Sequence, residues 1–322
     1  MKELGFIKSH KNGEKRIGLI PEILEGINQK EKIFIEKDYG KDLGYEDVEY
    51  AKYGVNIVDR SRILKCDIIV DVKLGDADYL DEIEDNKILF GWAHAVQNID
   101  FTTKMINKKC TVIAWEEMYE KGRYIFYKNR ELAGEAGVLQ AILYSGIMPY
   151  DAKVAIIGNG KTAKGACRVL NGLGADVDIY NRKLEKLFQE NIGLYDYIIN
   201  CVMWDTSRKD KLIYRKDLKK MKENSIIIDI SCDPYLEIET SHPTTIDNPV
   251  YKVDGITHYA VDNTPSIFYR TATINITKAI SNYYNYLIES KKNDVITNAV
   301  VIKNGCIIDK RITEFRKSRN II

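Results

Sequence analysis

Long hydrophobic runs are missing from this 322-residue chain. The longest, Tyr197 to Trp204 and Ser225 to Ile230, fall far short of the roughly 20 apolar residues a membrane helix needs. Charge of one sign is missing too: 48 Lys and Arg stand against 47 Asp and Glu, a formal net charge of +1. That balance argues against a whole-protein field built for nucleic acid or for an anionic membrane, and neither partner is expected. The first residues, Met1 to Arg16, carry scattered charges and no apolar core with a small-residue cleavage site, so a cytoplasmic protein is expected. No C-x-x-C pair occurs among Cys66, Cys110, Cys167, Cys201, Cys232 and Cys306. Zinc or redox work by cysteine pairs is therefore not expected, nor is any metal; the six read as reduced core or wall residues. There is no low-complexity segment and no Pro/Gly-rich linker.

What is present is 45% hydrophobic and 30% charged residues, enough to bury cores and stay soluble, over a length that suits about two domains. Continuous apolar runs at Leu4 to Lys8, Lys32 to Glu36, Asp67 to Val72, Lys87 to Trp92 and Thr111 to Trp115 read as strands of a parallel sheet covered on both faces. Pro21 to Gln29 and Asp100 to Lys108 have the length of crossover helices. A second series follows a helix predicted over Leu132 to Tyr144, whose Ala133, Gly134, Ala136 and Gly137 suit close packing. Its strands are Lys153 to Ile157, Asp176 to Tyr180, Tyr197 to Cys201, Ser225 to Asp229 and Thr257 to Val261. Ile276, Ile280, Tyr283 and Leu287 then mark one apolar face of a helix over Ala272 to Ser290. Asn304-Gly305 between Ala299 to Ile302 and Cys306 to Asp309 is a hairpin signal. The fold class expected is α/β, two Rossmann-like doubly wound domains with a cleft between them. Residues 1–132 and 267–322 would form the substrate domain, and 133–266 an inserted NADP-binding domain, with boundary helices shared between the two.

The sharpest local pattern is the strand Val154 to Ile157, then Gly158-Asn159-Gly160-Lys161-Thr162-Ala163, then a helix over Lys164 to Leu173. Gly158 permits a tight turn, Gly160 lets the backbone approach a pyrophosphate, and Ala163 lets the helix pack closely, while the helix N-terminus offers N–H groups to the anion. Where an NAD site ends its second strand in Asp or Glu, this chain has Asn181-Arg182-Lys183. A carboxylate would repel a 2′-phosphate, whereas Arg182 can bond one, so NADP (NADPH) is the expected cofactor. With Cys201 at the end of the third strand, these residues make up the expected cofactor-binding set of this domain.

Further motifs occur in a fixed order: Glu14-Lys15-Arg16-Ile17-Gly18-Leu19-Ile20-Pro21, Val72-Lys73, Trp92-Ala93-His94, Ile113-Ala114-Trp115-Glu116, Asp229-Ile230-Ser231-Cys232-Asp233 and His258-Tyr259-Ala260-Val261-Asp262-Asn263-Thr264-Pro265. With the glycine loop they make a chain that resembles, over almost its whole length, the alanine dehydrogenase and transhydrogenase N-terminal family. That family includes lysine-forming saccharopine dehydrogenases, and the resemblance is closest to its N5-(carboxyethyl)ornithine synthase branch. It implies that Arg16 grips a keto-acid carboxylate, that Lys73 and His94 serve the reacting carbonyl, and that Asp233 is a further catalytic residue. It also implies Glu116 as a substrate-binding acid and Asn263 as a cofactor residue on the nicotinamide side; Arg130 is a candidate second carboxylate ligand. The activity implied is reductive condensation of pyruvate with the side-chain amine of ornithine or lysine, in a homo-oligomer whose partners are small molecules, a keto acid and an amino acid. An NAD(P)-linked alanine or saccharopine-type dehydrogenase, a non-catalytic nucleotide-binding regulator and a transhydrogenase component remain alternatives.

Overall fold

In the computed structural model, which describes residues 1–205, 208–232 and 235–321, the chain divides into two compact units. The first is Met1–Phe126 with Tyr269–Ile322, and the second is Tyr127–Phe268. Helices Tyr127–Ala141 and Tyr269–Ile288 each begin at a boundary, so each belongs to one unit and is not shared. Expected breaks after 132 and 266 become breaks after 126 and 268. Both units are α/β and Rossmann-like.

The first unit is built on an eight-stranded sheet in the order Cys306–Ile307, Val300–Lys303, Thr111–Ala114, Ile88–Gly91, Ile68–Asp71, Leu4–Phe6, Ile33–Glu36, Asn56–Val58. The six strands from 111–114 onward are mutually parallel, and the C-terminal hairpin joins antiparallel. Ile68, Ile69 and Val70 are each at most 1% exposed although successive side chains point to opposite faces, which is why these strands read as unbroken apolar runs. One face packs on the core containing Phe6, Trp115, Ile276, Ile280, Tyr283 and Leu287, and the other on Leu74, Phe101, Met105 and Ile312. Asn304 and Gly305 both have positive φ, 48° and 78°, the signature of a primed two-residue turn. Pro21 to Gln29 is a shorter element than expected, a 3-10 helix at Pro21–Gly26. Gly26, Asn28 and the left-handed Gln29 (φ 52°) end it. Cys306 is exposed, unlike the buried Cys66, Cys110 and Cys232.

The second unit has a six-stranded sheet in the order Asp176–Tyr180, Lys153–Ile157, Tyr197–Asn200, Ile226–Asp229, Ile256–Tyr259, Val250–Val253, parallel except for the last strand. Helices Tyr127–Ala141 and Lys161–Gly172 cross at glycines: a Cβ on Gly134 would lie 2.0 Å from the Thr162 carbonyl oxygen, and one on Gly165 would lie 1.9 Å from that of Glu131. The small residues are therefore what allow this backbone contact. The first of these helices begins at Tyr127 rather than Leu132 because its first turn is used: Glu131 pairs with Lys161 at 2.9 Å, and the Lys161 ammonium lies 4.9 Å from the Tyr127 ring centroid. Among the described residues no helix is long and apolar enough to cross a membrane.

Candidate active site

In the first unit Arg16 is 4% exposed, and its guanidinium is held fork to fork by Glu14. Nε donates to Oε1 at 2.8 Å and Nη2 to Oε2 at 2.6 Å, while the Arg16 main-chain N–H also donates to Oε1 at 2.9 Å. The guanidinium carbon lies 5.2 Å from the Trp92 ring centroid, and the Trp92 indole N–H donates to the Tyr124 hydroxyl at 2.9 Å. A planar fork locked on both a carboxylate and an indole is pre-organised for a second planar anion. Glu14, itself 6% exposed, stands inside the motif that carries Arg16, yet its type alone did not mark it as a partner.

Lys73 and His94 follow adjacent parallel strands, Ile68–Asp71 and Ile88–Gly91, and the two turns are laced together. The Gly75 N–H donates to the Trp92 carbonyl at 2.9 Å, and Asn98 bridges the turns, its Nδ2 donating to the Gly75 carbonyl at 2.8 Å and its main-chain N–H to that of His94 at 3.2 Å. Gly75 is required there, since a Cβ would lie 2.3 Å from the Ala93 carbonyl oxygen. Lys73 is 5% exposed, with Nζ 3.1 Å from an Asp76 oxygen. Burial opposes ionisation of Asp76, but the Lys73 and Lys11 cations outweigh it and hold that carboxyl below its ordinary value. His94 is exposed and has φ 47°, a left-handed conformation that costs a non-glycine residue energy and marks a held turn.

Two carboxyls do the holding, Asp71 buried and Glu116 half-buried. Asp71 accepts the Lys73 main-chain N–H at 2.8 Å and the Tyr79 hydroxyl at 3.0 Å. Glu116 accepts the N–H of Ala93 at 3.1 Å and of Ala95 at 3.3 Å, clamping the residues on either side of His94. Both oxygens of Glu116 are thus committed to positioning His94, a part that the expected substrate contact did not include. Burial pushes Asp71 up to about 7, against its bonds from Lys73 and Tyr79, and pushes Glu116 up to about 7, against those from Ala93 and Ala95. The folded chain therefore keeps protons that the unfolded chain, with ordinary carboxyls near 4, has released. Stability conferred in acid is lost as pH rises from about 4 to about 7, by about 1.4 kcal/mol per pH unit for each group, and levels off above that. Scanning calorimetry between pH 5 and 8 should show this decline, flattened in Asp71→Asn and in Glu116→Gln. A slope unchanged in both variants would contradict it.

In the second unit Gly160 is the residue before helix Lys161–Gly172, so Lys161, Thr162 and Ala163 form its first turn instead of preceding it. Gly158 has φ 115°, and a Cβ there would lie 2.9 Å from the Cys201 carbonyl oxygen; nothing lies within 4 Å of a Cβ on Gly160. A bare loop opening on a helix N-terminus fits a dinucleotide pyrophosphate. Asn159 lies between those glycines, and Ala163 is 4% exposed. Asn181 uses its side chain to accept the Lys183 N–H at 2.9 Å, which leaves the strand end without an acidic ribose ligand. Arg182 is 72% exposed with Nη2 3.7 Å from Asp205, an ion pair weak enough for a phosphate to displace. Cys201 is half-buried, its thiol raised by burial and by the nearby Asp229. Asn263 is 5% exposed, its carbonyl accepting the Ser266 N–H at 3.0 Å and hydroxyl at 2.7 Å. Arg130 is half-buried in the first turn of helix Tyr127–Ala141. Asp233 lies outside the described residues.

Residues 5–126 match the family described as "Alanine dehydrogenase/PNT, N-terminal domain" and residues 181–314 match "Alanine dehydrogenase/PNT, C-terminal domain", with the glycine loop between the matched spans. The N(5)-(carboxyethyl)ornithine synthase of Lactococcus lactis subsp. lactis is 30% identical over 295 residues, covering 87% of this chain and 94% of that one. An alanine dehydrogenase of Staphylococcus epidermidis is 28% identical over 356 residues, covering 97% of this chain and 96% of that one. The solved structure titled L-alanine dehydrogenase superposes with a TM-score of 0.81 at 20% identity, covering 98% of this chain and 99% of that one, a likeness of fold. With both halves of the family matched and a 30% identical relative covered almost end to end, the chain belongs to the alanine dehydrogenase/PNT family.

Proposed function

We propose that this protein joins pyruvate to the side-chain amine of ornithine or lysine and reduces the product with NADPH, giving N5-(1-carboxyethyl)ornithine when the amine is ornithine. The observation that carries the reading is the end-to-end likeness to proteins named N(5)-(carboxyethyl)ornithine synthase, from Lactococcus lactis subsp. lactis and Clostridium botulinum. It is supported by the Arg16–Glu14 fork, by the clamped Lys73 and His94 turns, and by Asn181-Arg182 in place of an acidic ribose ligand.

Arg16 holds the pyruvate carboxylate in a plane set by Glu14 and Trp92. Lys73 and His94 move the protons: one is lost from the attacking ammonium, and others go to the carbonyl oxygen, which leaves the carbinolamine as water. An amine with a pKa near 10.4 is almost all ammonium at neutral pH, so attack needs this proton removal. A bound nicotinamide would supply the hydride, and with the imine nitrogen protonated the product is a secondary amine. The second unit's glycine loop would hold the pyrophosphate and Arg182 the 2′-phosphate. Asn263, Cys201 and Asp233 are assigned to the nicotinamide side, and Arg130 is assigned as a second carboxylate ligand.

The test is to incubate the protein with pyruvate, NADPH or NADH, and ornithine, lysine or ammonium, and to take product masses. A secondary amine from a diamino acid is expected. NADPH should be favoured by roughly tenfold to a hundredfold in kcat/KM, the worth of one charge-assisted contact, and Arg182→Ala should remove most of that preference. Faster alanine formation from ammonium would transfer the assignment to the reading that the staphylococcal likeness favours, an alanine dehydrogenase. Activity with 2-oxoglutarate but not pyruvate would move it to the saccharopine type.

A further inference from the structure

Beneath the carboxyl ends of strands Tyr197–Asn200 and Ile226–Asp229 lies a polar knot that the proposed reaction does not use. Asn200, Asp229, Glu237 and Ser241 are each at most 1% exposed. Asn200 and Asp229 are register partners on the two neighbouring strands. The Asn200 amide nitrogen donates to Asp229 Oδ1 at 2.9 Å and to Glu237 Oε1 at 2.7 Å, so one side chain ties two buried carboxyls together. Ser241 donates its hydroxyl to the other oxygen of Asp229.

From this knot both following turns are held. Asn200 Oδ1 accepts the Val202 N–H at 3.2 Å, and Asp229 Oδ1 accepts the Cys232 N–H at 3.2 Å. The turns are also bonded to each other, the Ser231 hydroxyl donating to the Val202 carbonyl. Cys232 has φ 58°, a left-handed conformation that needs such support. Its thiol donates to the Asp229 carbonyl at 2.9 Å and to the Val261 carbonyl at 3.3 Å. The position of these turns in the sheet gives them a purpose. Open α/β sheets bind ligands outside the carboxyl ends of their strands. Strand Asp176–Tyr180, with Asn181 and Arg182 at its end, lies on one side of the glycine-loop strand, and strands 197–200 and 226–229 lie on the other. The adenosine half of a dinucleotide belongs on the first side and the nicotinamide half on the second. The Cys201 carbonyl, in the first of the held turns, also abuts Gly158.

We propose that Asn200 is a positioning residue which, by bridging Asp229 and Glu237, fixes the wall against which the nicotinamide ring rests. The inference rests on reading the second unit as dinucleotide-binding. Its energetic logic is the asymmetry of buried polar groups: a satisfied network is rigid, whereas loss of one donor leaves carboxyl oxygens uncompensated and frees the backbone they held. Burial already raises the Asp229 carboxyl, against the bonds from Ser241, Asn200, Cys232 and Ser231.

Asn200→Asp replaces the bridging donor by a third acid, and Ser241→Ala removes one donor and leaves the bridge, a milder change available should the first variant not fold. For each folded variant, NADPH affinity, the emission wavelength of bound NADPH, and kcat are measured on the full-length protein. A positioning role predicts kcat lower by about tenfold in Asn200→Asp and about threefold in Ser241→Ala, with NADPH affinity within about threefold of the parent because the pyrophosphate and ribose contacts are untouched. The emission of bound NADPH should shift toward that of the free cofactor, since it reports the surroundings of the ring. Wild-type kcat and emission in a folded variant would overturn the proposal, as would a loss of folded protein whose remainder keeps wild-type values. If the parent binds NADPH but does not oxidise it with pyruvate and ornithine, the proposed function fails while the emission comparison still decides this inference.

Discussion

Lys73→Met is expected to lower kcat by about a hundredfold or more while NADPH still binds, and removal of the His94 ring is expected to do the same, the usual worth of a general acid or base. Methionine keeps the buried stem of Lys73. The Asp76 carboxylate left behind is 39% exposed and still has Lys11 at 3.3 Å, so the fold should tolerate the loss. At position 94 alanine removes the ring but must adopt φ 47°, whereas asparagine enters the left-handed region more readily. His94→Asn is therefore the better probe: it keeps the turn and lacks an imidazole to carry the proton. Fluorescence titration checks cofactor binding, and stopped-flow NADPH oxidation checks the chemistry. A variant with near-normal turnover would remove its residue from the mechanism.

The second large effect concerns Arg16. Arg16→Ala alone is a poor experiment, because it breaks the buried pair with the Glu14 carboxylate, a loss of about 3 to 5 kcal/mol in comparable pairs. The paired change Arg16→Met with Glu14→Gln removes both charges and keeps most of the volume. Its kcat/KM for pyruvate should fall about thirtyfold or more, in line with a contact between opposite charges worth 2 to 5 kcal/mol in a desolvated site. The KM for NADPH should barely move. Arg16→Lys should not rescue, since a point charge cannot reproduce the fork that Glu14 and Trp92 hold in plane. Pyruvate saturation curves for the two variants decide the matter, and an unchanged KM for pyruvate would take Arg16 out of substrate binding.

Much of this protein is determined by local pattern. Strands 153–157 and 197–200 occur where their apolar runs stand, because a strand buried on both faces must be apolar at nearly every position. The Asn304-Gly305 hairpin and the glycine loop are likewise local, set by which residues tolerate positive φ or an exposed backbone. Arg16, Lys73 and His94 stood out as candidates because each stands in a short ordered motif, and Arg182 because it stands where an acid is usually found. Element ends were less so. The helix at Tyr127 starts early because Glu131 and Tyr127 contact Lys161, and Pro21–Gly26 stays a 3-10 turn because Gly26 and the left-handed Gln29 stop it.

Only the tertiary structure decided what holds the site. Glu14 on Arg16, Asp71 under Lys73, Glu116 across Ala93 and Ala95, and Asn200 between Asp229 and Glu237 are carboxyl contacts, and carboxyls are common everywhere in this chain, 47 in all. Nothing in residue type separates a solvated acid from one that clamps a turn. That distinction arises when Asp71 is brought 1% from full burial beside a main-chain N–H, or when Glu116 meets two N–H groups more than twenty residues away. Burial makes an unpaired carboxyl costly and a paired one directional, so the sequence names candidate groups for the chemistry, and the fold selects the acids that contact them.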